Sequence, residues 1–334
     1  MTVAYPELAR DRDAWIVARR AARNTVDSHR PYAFHVEEEL SDKGGIVNVA
    51  TIFLTNRECP WRCLMCDLWK NTLEETVPVG AIPEQIDFAL SQLPCADHIK
   101  LYNSGSFFDR AAIATEDHGA IAKRIRQFKR VIVESHPALI NERVLRFRDL
   151  LDGQLEVAMG LETAHPETLE RLNKRMTLEQ FAAATEFLRK NQIALRVFVL
   201  VKPPFQTDAE AHLWSKRSVE FAFDCGATAV SLIPTRFGNG ALESLAAGGE
   251  FTPPTLDLFE TVIEEGLGDQ RGRVFADLWD LEKFSRCSIC FPQRLARLRR
   301  MNLQQRIEPP ASCQVCNGAR VSSPAAPSER PATG

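Results

Sequence analysis

The chain has 334 residues, 45% of them hydrophobic and 25% charged, enough for a sizeable core in one large domain with additions or in two domains. With 41 Lys and Arg against 44 Asp and Glu, the formal net charge of -3 excludes a global pull toward nucleic acid. No apolar stretch approaches the roughly 20 residues that cross a bilayer, and the N-terminal "MTVAYPELARDRDAW" has neither the basic flank nor the apolar centre of a signal peptide, so a cytoplasmic protein with no membrane contact is expected.

In chain order, "ARDRDAWIVARRAARN" (9–24) predicts an amphipathic helix, and "HVEEELSDKGG" (35–45) a polar connection into the first strong strand, "IVNVATIFLT" (46–55). Five further strand-like runs follow: "HIKLYN" (98–103), "RVIVES" (130–135), "LEVAMGLE" (155–162), "ALRVFVLV" (194–201) and "AVSLIP" (229–234). Helical patterns lie between them at 82–93, 117–128, 141–151, 177–191 and 208–226. Near-continuous apolar strands alternating with amphipathic helices predict βαβ units and a parallel sheet buried on both faces. Six such units fit an open doubly wound sheet or an incomplete barrel. In both, chemistry gathers at the C-terminal ends of the strands.

The first of those ends leads into "RECPWRCLMCDLWKNT" (57–72), with Cys59, Cys63 and Cys66 within eight residues. A structural zinc site takes four protein ligands. A four-iron, four-sulfur cluster has four iron corners, so three thiolates leave one iron open to a non-protein ligand. Half of a zinc site is the alternative reading. Cys95 and Cys225 read as small core residues.

The spacing CxxxCxxC in this position resembles the signature of the radical S-adenosylmethionine (SAM) superfamily, in which the open iron is chelated by the amino and carboxylate groups of SAM. The segments "KLYNSGSFFD", "VIVESHP", "LEVAMGLET", "LNKRMT" and "RVFVLVKPPF" extend the resemblance over about residues 47–240. It lies toward the branch of the Elongator catalytic subunit, the tRNA methylthiotransferases and the radical-SAM partner of archaeosine synthase. The resemblance implies that Met65 packs the adenine. Asn103, Ser104, Gly105 and Ser106 form the turn that receives the amino group of SAM, here without the usual carboxylate. Glu134 meets the ribose, while Glu162 and Arg175 occupy the places of the polar strand end and of the basic residue that reaches the carboxylate of SAM. Predicted strand ends add Asn56, Lys202, Arg236 and Asn239 as candidate substrate contacts.

Beyond the barrel, "RCSICFP" and "ASCQVCNG" place Cys287, Cys290, Cys313 and Cys316 as two CxxC knuckles around a 22-residue spacer. They form a second metal site, zinc or an auxiliary iron-sulfur cluster, with zinc favoured because two short knuckles flanking a loop are the commoner structural arrangement. The spacer carries Arg294, Arg297, Arg299, Arg300 and Arg306. These suit phosphate contacts; a helix that packs Leu295, Leu298 and Met301 inward would equally leave them in water.

The fold class expected is therefore α/β: an incomplete (β/α)6 radical-SAM-type barrel (47–270) with an N-terminal helical extension (1–46), a Cys-rich metal-binding module (271–318) and a disordered tail (319–334). The resemblance implies a [4Fe-4S] cluster and SAM as cofactors, a flavodoxin or ferredoxin as electron donor, and a 5′-deoxyadenosyl radical that takes hydrogen from the substrate. Two substrate classes stand open, a modified tRNA base of the archaeosine type and a small metabolite or peptide. Methylthiolation is not expected, since the additional domains of the methylthiotransferases are not found in this sequence.

Overall fold

The computed structural model describes residues 4–316; the expected tail at 319–334 lies outside the described residues. Eight strands form one sheet in sequence order: β1 (Ala33–Leu40), β2 (Ile46–Phe53), β3 (His98–Tyr102), β4 (Arg130–Glu134), β5 (Gln154–Glu162), β6 (Ala194–Val201), β7 (Ala229–Pro234) and β8 (Arg273–Ala276). β1 runs antiparallel to β2 and every later pair is parallel. The helices are α1 (Ala9–Val17), α2 (Ala81–Leu90), α3 (His118–Arg124), α4 (Glu142–Arg148), α5 (Pro166–Arg171), α6 (Leu178–Lys190), α7 (Asp208–Asp224), α8 (Ala241–Ala247), α9 (Leu256–Gly268) and α10 (Phe291–Gln304). α6 and α7 each begin in a capping box, at Thr177 with Gln180 and at Thr207 with Glu210, which satisfies donors that a helix start leaves free. The sheet is the curled half-barrel that six βα units imply, with a strand added at each edge.

Period-two alternation assigns the two faces. Ile99, Leu101, Val131, Val133, Leu155, Val157, Val197 and Val199 belong to the main apolar core with Phe147, Phe181 and Phe259 of the helices. The residues between them face into the barrel, and near the strand starts they are charged. Glu156 of β5, with no solvent exposure, accepts from Arg130 at 2.6 Å and Arg196 at 2.8 Å. Arg196 and Lys100 also reach Glu39 of β1, at 2.5 and 2.7 Å. Burial alone would push the Glu156 carboxyl up, but Arg196, Arg273 and Arg130 together hold it below its ordinary value. The barrel floor is an ion network rather than an apolar plug.

The sequence pattern hides two strands, β1 and the short β8 at the other edge, and that network explains the first. The polar connection expected at 35–45 is instead β1, because Glu37 and Glu39 are partners of buried cations: Lys100 also donates to Glu37 at 2.8 Å. The predicted first helix also stops early, at Val17. Beyond it Arg20 and Arg23 leave the helical path and close on Glu58, beside Cys59. Cys225 is half-buried among the apolar residues, whereas Cys95, expected in the core, is exposed.

Candidate active site at the barrel mouth

The loop after β2 carries Cys59, Cys63 and Cys66, all partly buried and free of disulfides. Its backbone is pinned from several sides. Leu64 donates its N–H to the Leu172 carbonyl at 2.8 Å; Asn239 donates its amide to the Leu64 carbonyl at 2.7 Å, and Asn173 to that of Arg62 at 2.8 Å. Glu58 is gripped by Arg20 at 2.7 Å, by Arg62 at 3.1 Å and by Arg23. Burial, and then the neighbouring Cys63, push the Cys59 thiol up to about 12; burial also raises Cys63 and Cys66. Such thiols ionise when a metal displaces their protons. Among the described residues, the one set of three or more ligand atoms compact enough for a single ion lies elsewhere.

The turn after β3 faces this loop. Ser104 takes a left-handed φ of 54°, and Gly105 lies so near that an added Cβ would stand 3.2 Å from the Cys59 Cβ. A larger residue there would press on the cysteine loop. Glu134 stands behind the turn, accepting the N–H of Asn103 at 2.6 Å and that of Gly105 at 3.3 Å. Burial raises its carboxyl to about 7 against the pull of those amides. The expected ribose residue thus supports the turn from beneath. Ser106 accepts the His136 N–H at 2.8 Å, and His136 stacks on Trp61 at 3.8 Å between centroids. The Asn103 side chain is buried with neither Nδ2 nor Oδ1 partnered among the described residues, leaving a donor and an acceptor for an external group.

Past β5, Glu162 and Lys174 form an ion pair of 2.6 Å, and Lys174 is only 8% exposed. An added Cβ at Gly160 would meet both charged ends, so any larger residue there would displace the pair. Burial would lower the Lys174 ammonium, but Glu162, then Cys63 and Cys59, raise it. It stays a cation within the field of the cysteines. Arg175, the basic residue expected in this role, points away: it donates to the Ala9 carbonyl at 2.9 Å and meets Asp13 at 3.2 Å, with its side chain 39% exposed. Lys174 is the residue turned inward. Met65 is partly buried against a second apolar cluster to which Leu64, Leu172 and Leu200 belong.

A family model described as the radical SAM superfamily matches residues 53–213, a span that holds the three cysteines, the turn after β3, Glu134, Glu162 and Lys174. The chain belongs to the radical SAM superfamily. An uncharacterized protein of Methanocaldococcus jannaschii is 27% identical over 259 residues, covering 73% of this chain and 71% of that protein. Archaeosine synthase subunit beta of Methanosarcina acetivorans is 26% identical over 219 residues, 62% of this chain and 63% of that protein. The same subunit of Thermococcus kodakarensis is 28% identical over 165 residues, 47% of this chain and 51% of that protein. The match thus spans less than two thirds of either subunit. The archaeal Elp3 of Methanocaldococcus infernus, with its N-terminus deleted, superimposes with a TM-score of 0.50 at 15% identity, covering 66% of this chain and 59% of that one, which shows a shared fold.

Membership of this enzyme family implies a [4Fe-4S] cluster and SAM. The three free thiols of Cys59, Cys63 and Cys66 on one loop, the close turn at Gly105 and the unpartnered Asn103 amide fit that pair of cofactors. Of the candidate substrate contacts, Asn56 keeps a buried Oδ1, and Arg236 a buried Nε, without a partner among the described residues. Lys202 is held by Asp208 and, at 2.7 Å, by Thr252; Asn239 clamps the cysteine loop through Leu64. Sequence reasoning missed Lys174, Asn173 and the Trp61–His136 stack.

At the far end of the chain, Cys287, Cys290, Cys313 and Cys316 come together, all four sulfurs within 4.8 Å of one another. The four form a compact cysteine cluster of a size that suits a metal ion. Two of the five spacer arginines are spent inside the protein. Arg294 pairs with Asp257 and Glu260 at 2.8 and 2.7 Å, and Arg297, 2% exposed, with Glu264 at 2.7 Å. Arg300 meets Glu308 at 2.9 Å, leaving Arg299 and Arg306 exposed. Two of the five arginines expected at a phosphate-binding face thus serve packing, and three stay at the surface.

Proposed function

We propose that this radical SAM enzyme modifies a tRNA nucleobase, a reading supported by its similarity to two archaeosine synthase beta subunits. The chemistry supplied by a reduced [4Fe-4S] cluster with SAM is cleavage to methionine and a 5′-deoxyadenosyl radical, able to take hydrogen from a C–H bond. The chain's own part is to hold and to shield. Cys59, Cys63 and Cys66 anchor the cluster. Glu134 fixes the Asn103–Gly105 turn, and Asn103 offers its free amide to SAM. Lys174, oriented by Glu162, supplies the cation for the carboxylate of SAM. A small one-electron donor of the flavodoxin or ferredoxin type completes the system.

A cleft of about 560 Å³ beside the cysteine loop is lined by Arg23, Arg57, Arg62, Pro60, Glu74 and Asp109 among others. Arg57 is exposed there and suits a phosphate of the tRNA backbone. tRNA binding by the anaerobic enzyme should weaken with salt, and Arg57→Gln should reduce the slope of log affinity against log salt by about one. tRNA should also raise the rate of SAM turnover. The small-metabolite or peptide reading is favoured if tRNA neither binds at low salt nor stimulates turnover. The internal pairing of Arg294 and Arg297, which leaves less basic surface, is what supports that second reading.

The inward cation gives a separate expectation. Lys174→Met should weaken SAM binding by about tenfold or more, as loss of a buried charge-assisted contact of about 1.5–3 kcal/mol requires. Arg175→Met should change it less than threefold. Isothermal titration of the cluster-loaded protein with SAM measures both, and the reverse order would return the role to Arg175.

A further inference from the structure

Cys290 is the residue immediately before α10 and Cys287 lies one knuckle earlier, while Cys313 and Cys316 follow on the return segment. The Sγ atoms of Cys287 and Cys313 are 4.0 Å apart and those of Cys290 and Cys316 3.7 Å. These are not disulfides, whose sulfurs stand about 2.05 Å apart. One ion with Zn–S bonds of about 2.3 Å sets four thiolates on a tetrahedron whose edge is about 3.8 Å. A four-iron cluster takes each thiolate on a different iron, and a two-iron cluster takes them as two parted pairs, so either would hold the quartet wider. The compact spacing is that of a single centre.

What the quartet holds is α10, and α10 lies against both β1 and β8, the two edges of the open sheet. On β8 the helix supplies what a further strand would. Asn302 accepts the Ala276 N–H at 2.7 Å and donates to its carbonyl at 2.9 Å. Gln305 does the same for Val274, at 2.6 and 2.9 Å. Two side-chain amides on alternate residues thus cover an edge whose backbone groups would otherwise be open. Arg294 and Arg297 fasten the same helix to the acids of α9, and Arg297 donates to the Glu308 and Pro309 carbonyls of the return segment, at 3.0 and 2.9 Å through its Nε.

We propose that Cys287, Cys290, Cys313 and Cys316 bind one zinc ion, and that this ion is a clasp that keeps α10 seated across the seam between β1 and β8. On binding, the four thiols release their protons to solvent, and the ion, having one accessible oxidation state, carries no electrons. The site is structural and separate from the barrel mouth.

The test uses the full-length protein, prepared anaerobically with both iron and zinc supplied. Zinc-edge X-ray absorption should show about one zinc per chain with four sulfurs at about 2.3 Å and no iron neighbour. Removing zinc with a chelator should speed hydrogen exchange at the Val274 and Ala276 amides by at least tenfold, and zinc chloride alone should reverse it. Iron and sulfide beyond one four-iron cluster, a single iron in place of zinc, or no metal at the quartet would overturn the assignment of the ion. Unchanged exchange at Val274 and Ala276 after zinc is removed would overturn its role as a clasp.

Discussion

Cys63→Ala is expected to abolish reductive cleavage of SAM while the barrel stays folded. The thiol is one of only three anchors, and two cannot hold a four-iron cluster against loss. The loop backbone keeps its fastenings without it: Leu64 to Leu172, Asn239 to Leu64, Asn173 to Arg62 and Glu58 to Arg20 all lie outside the Cys63 side chain. Production of 5′-deoxyadenosine under reducing, anaerobic conditions should fall to background, and the thermal midpoint of the metal-stripped variant should match that of metal-stripped wild type. Turnover at the wild-type rate would contradict the three-thiolate site.

The largest effect on stability should come from Glu156→Gln. This carboxylate is fully buried and neutralises Arg130 and Arg196 at 2.6 and 2.8 Å, with Arg273 at 3.8 Å. Glutamine keeps the shape and removes the charge, leaving Arg196 with Glu39 alone and Arg130 with the half-exposed Asp42, an excess of positive charge in the barrel floor that costs up to about 3–5 kcal/mol. The pH dependence has a definite sign. Because the folded carboxyl lies below its ordinary value, its contribution is present above about pH 4.3, the unfolded value, and is lost as pH falls through the folded one. Urea unfolding of wild type should therefore show acid destabilisation below about pH 4 that the variant lacks in part. A variant within about 1 kcal/mol of wild type at pH 7 would mean that the network is not the support described.

Six strands and the cysteine loop were legible because each carries its signal in consecutive residues: apolar runs bounded by turns, and three thiols at fixed spacing. β1 was hidden because "HVEEEL" reads as solvated charge, and only the fold brings Lys100 and Arg196 to Glu37 and Glu39. The choice between Lys174 and Arg175 was illegible for another reason. Asn173 and Arg175 both have left-handed φ, 56° and 59°, so neither helical nor strand periodicity gives the direction of a side chain there. The spacer arginines were readable in principle. Asp257, Glu260 and Glu264 fall at three- and four-residue spacing on α9, a helical acidic stripe that could receive them, but pairing one helix with another needs the tertiary structure. The C-terminal quartet was fully present as two CxxC knuckles, while its compactness belongs to the folded chain.

The central claim is that Cys59, Cys63 and Cys66 hold a cluster with one iron left to SAM at the barrel mouth. Electron paramagnetic resonance of the anaerobically reconstituted, reduced protein, before and after addition of SAM, tests it most directly. The account predicts a four-iron signal that shifts when SAM binds, with 5′-deoxyadenosine formed in the same sample. A fully formed, reduced four-iron cluster whose signal is unchanged by saturating SAM, with no 5′-deoxyadenosine produced, would contradict it.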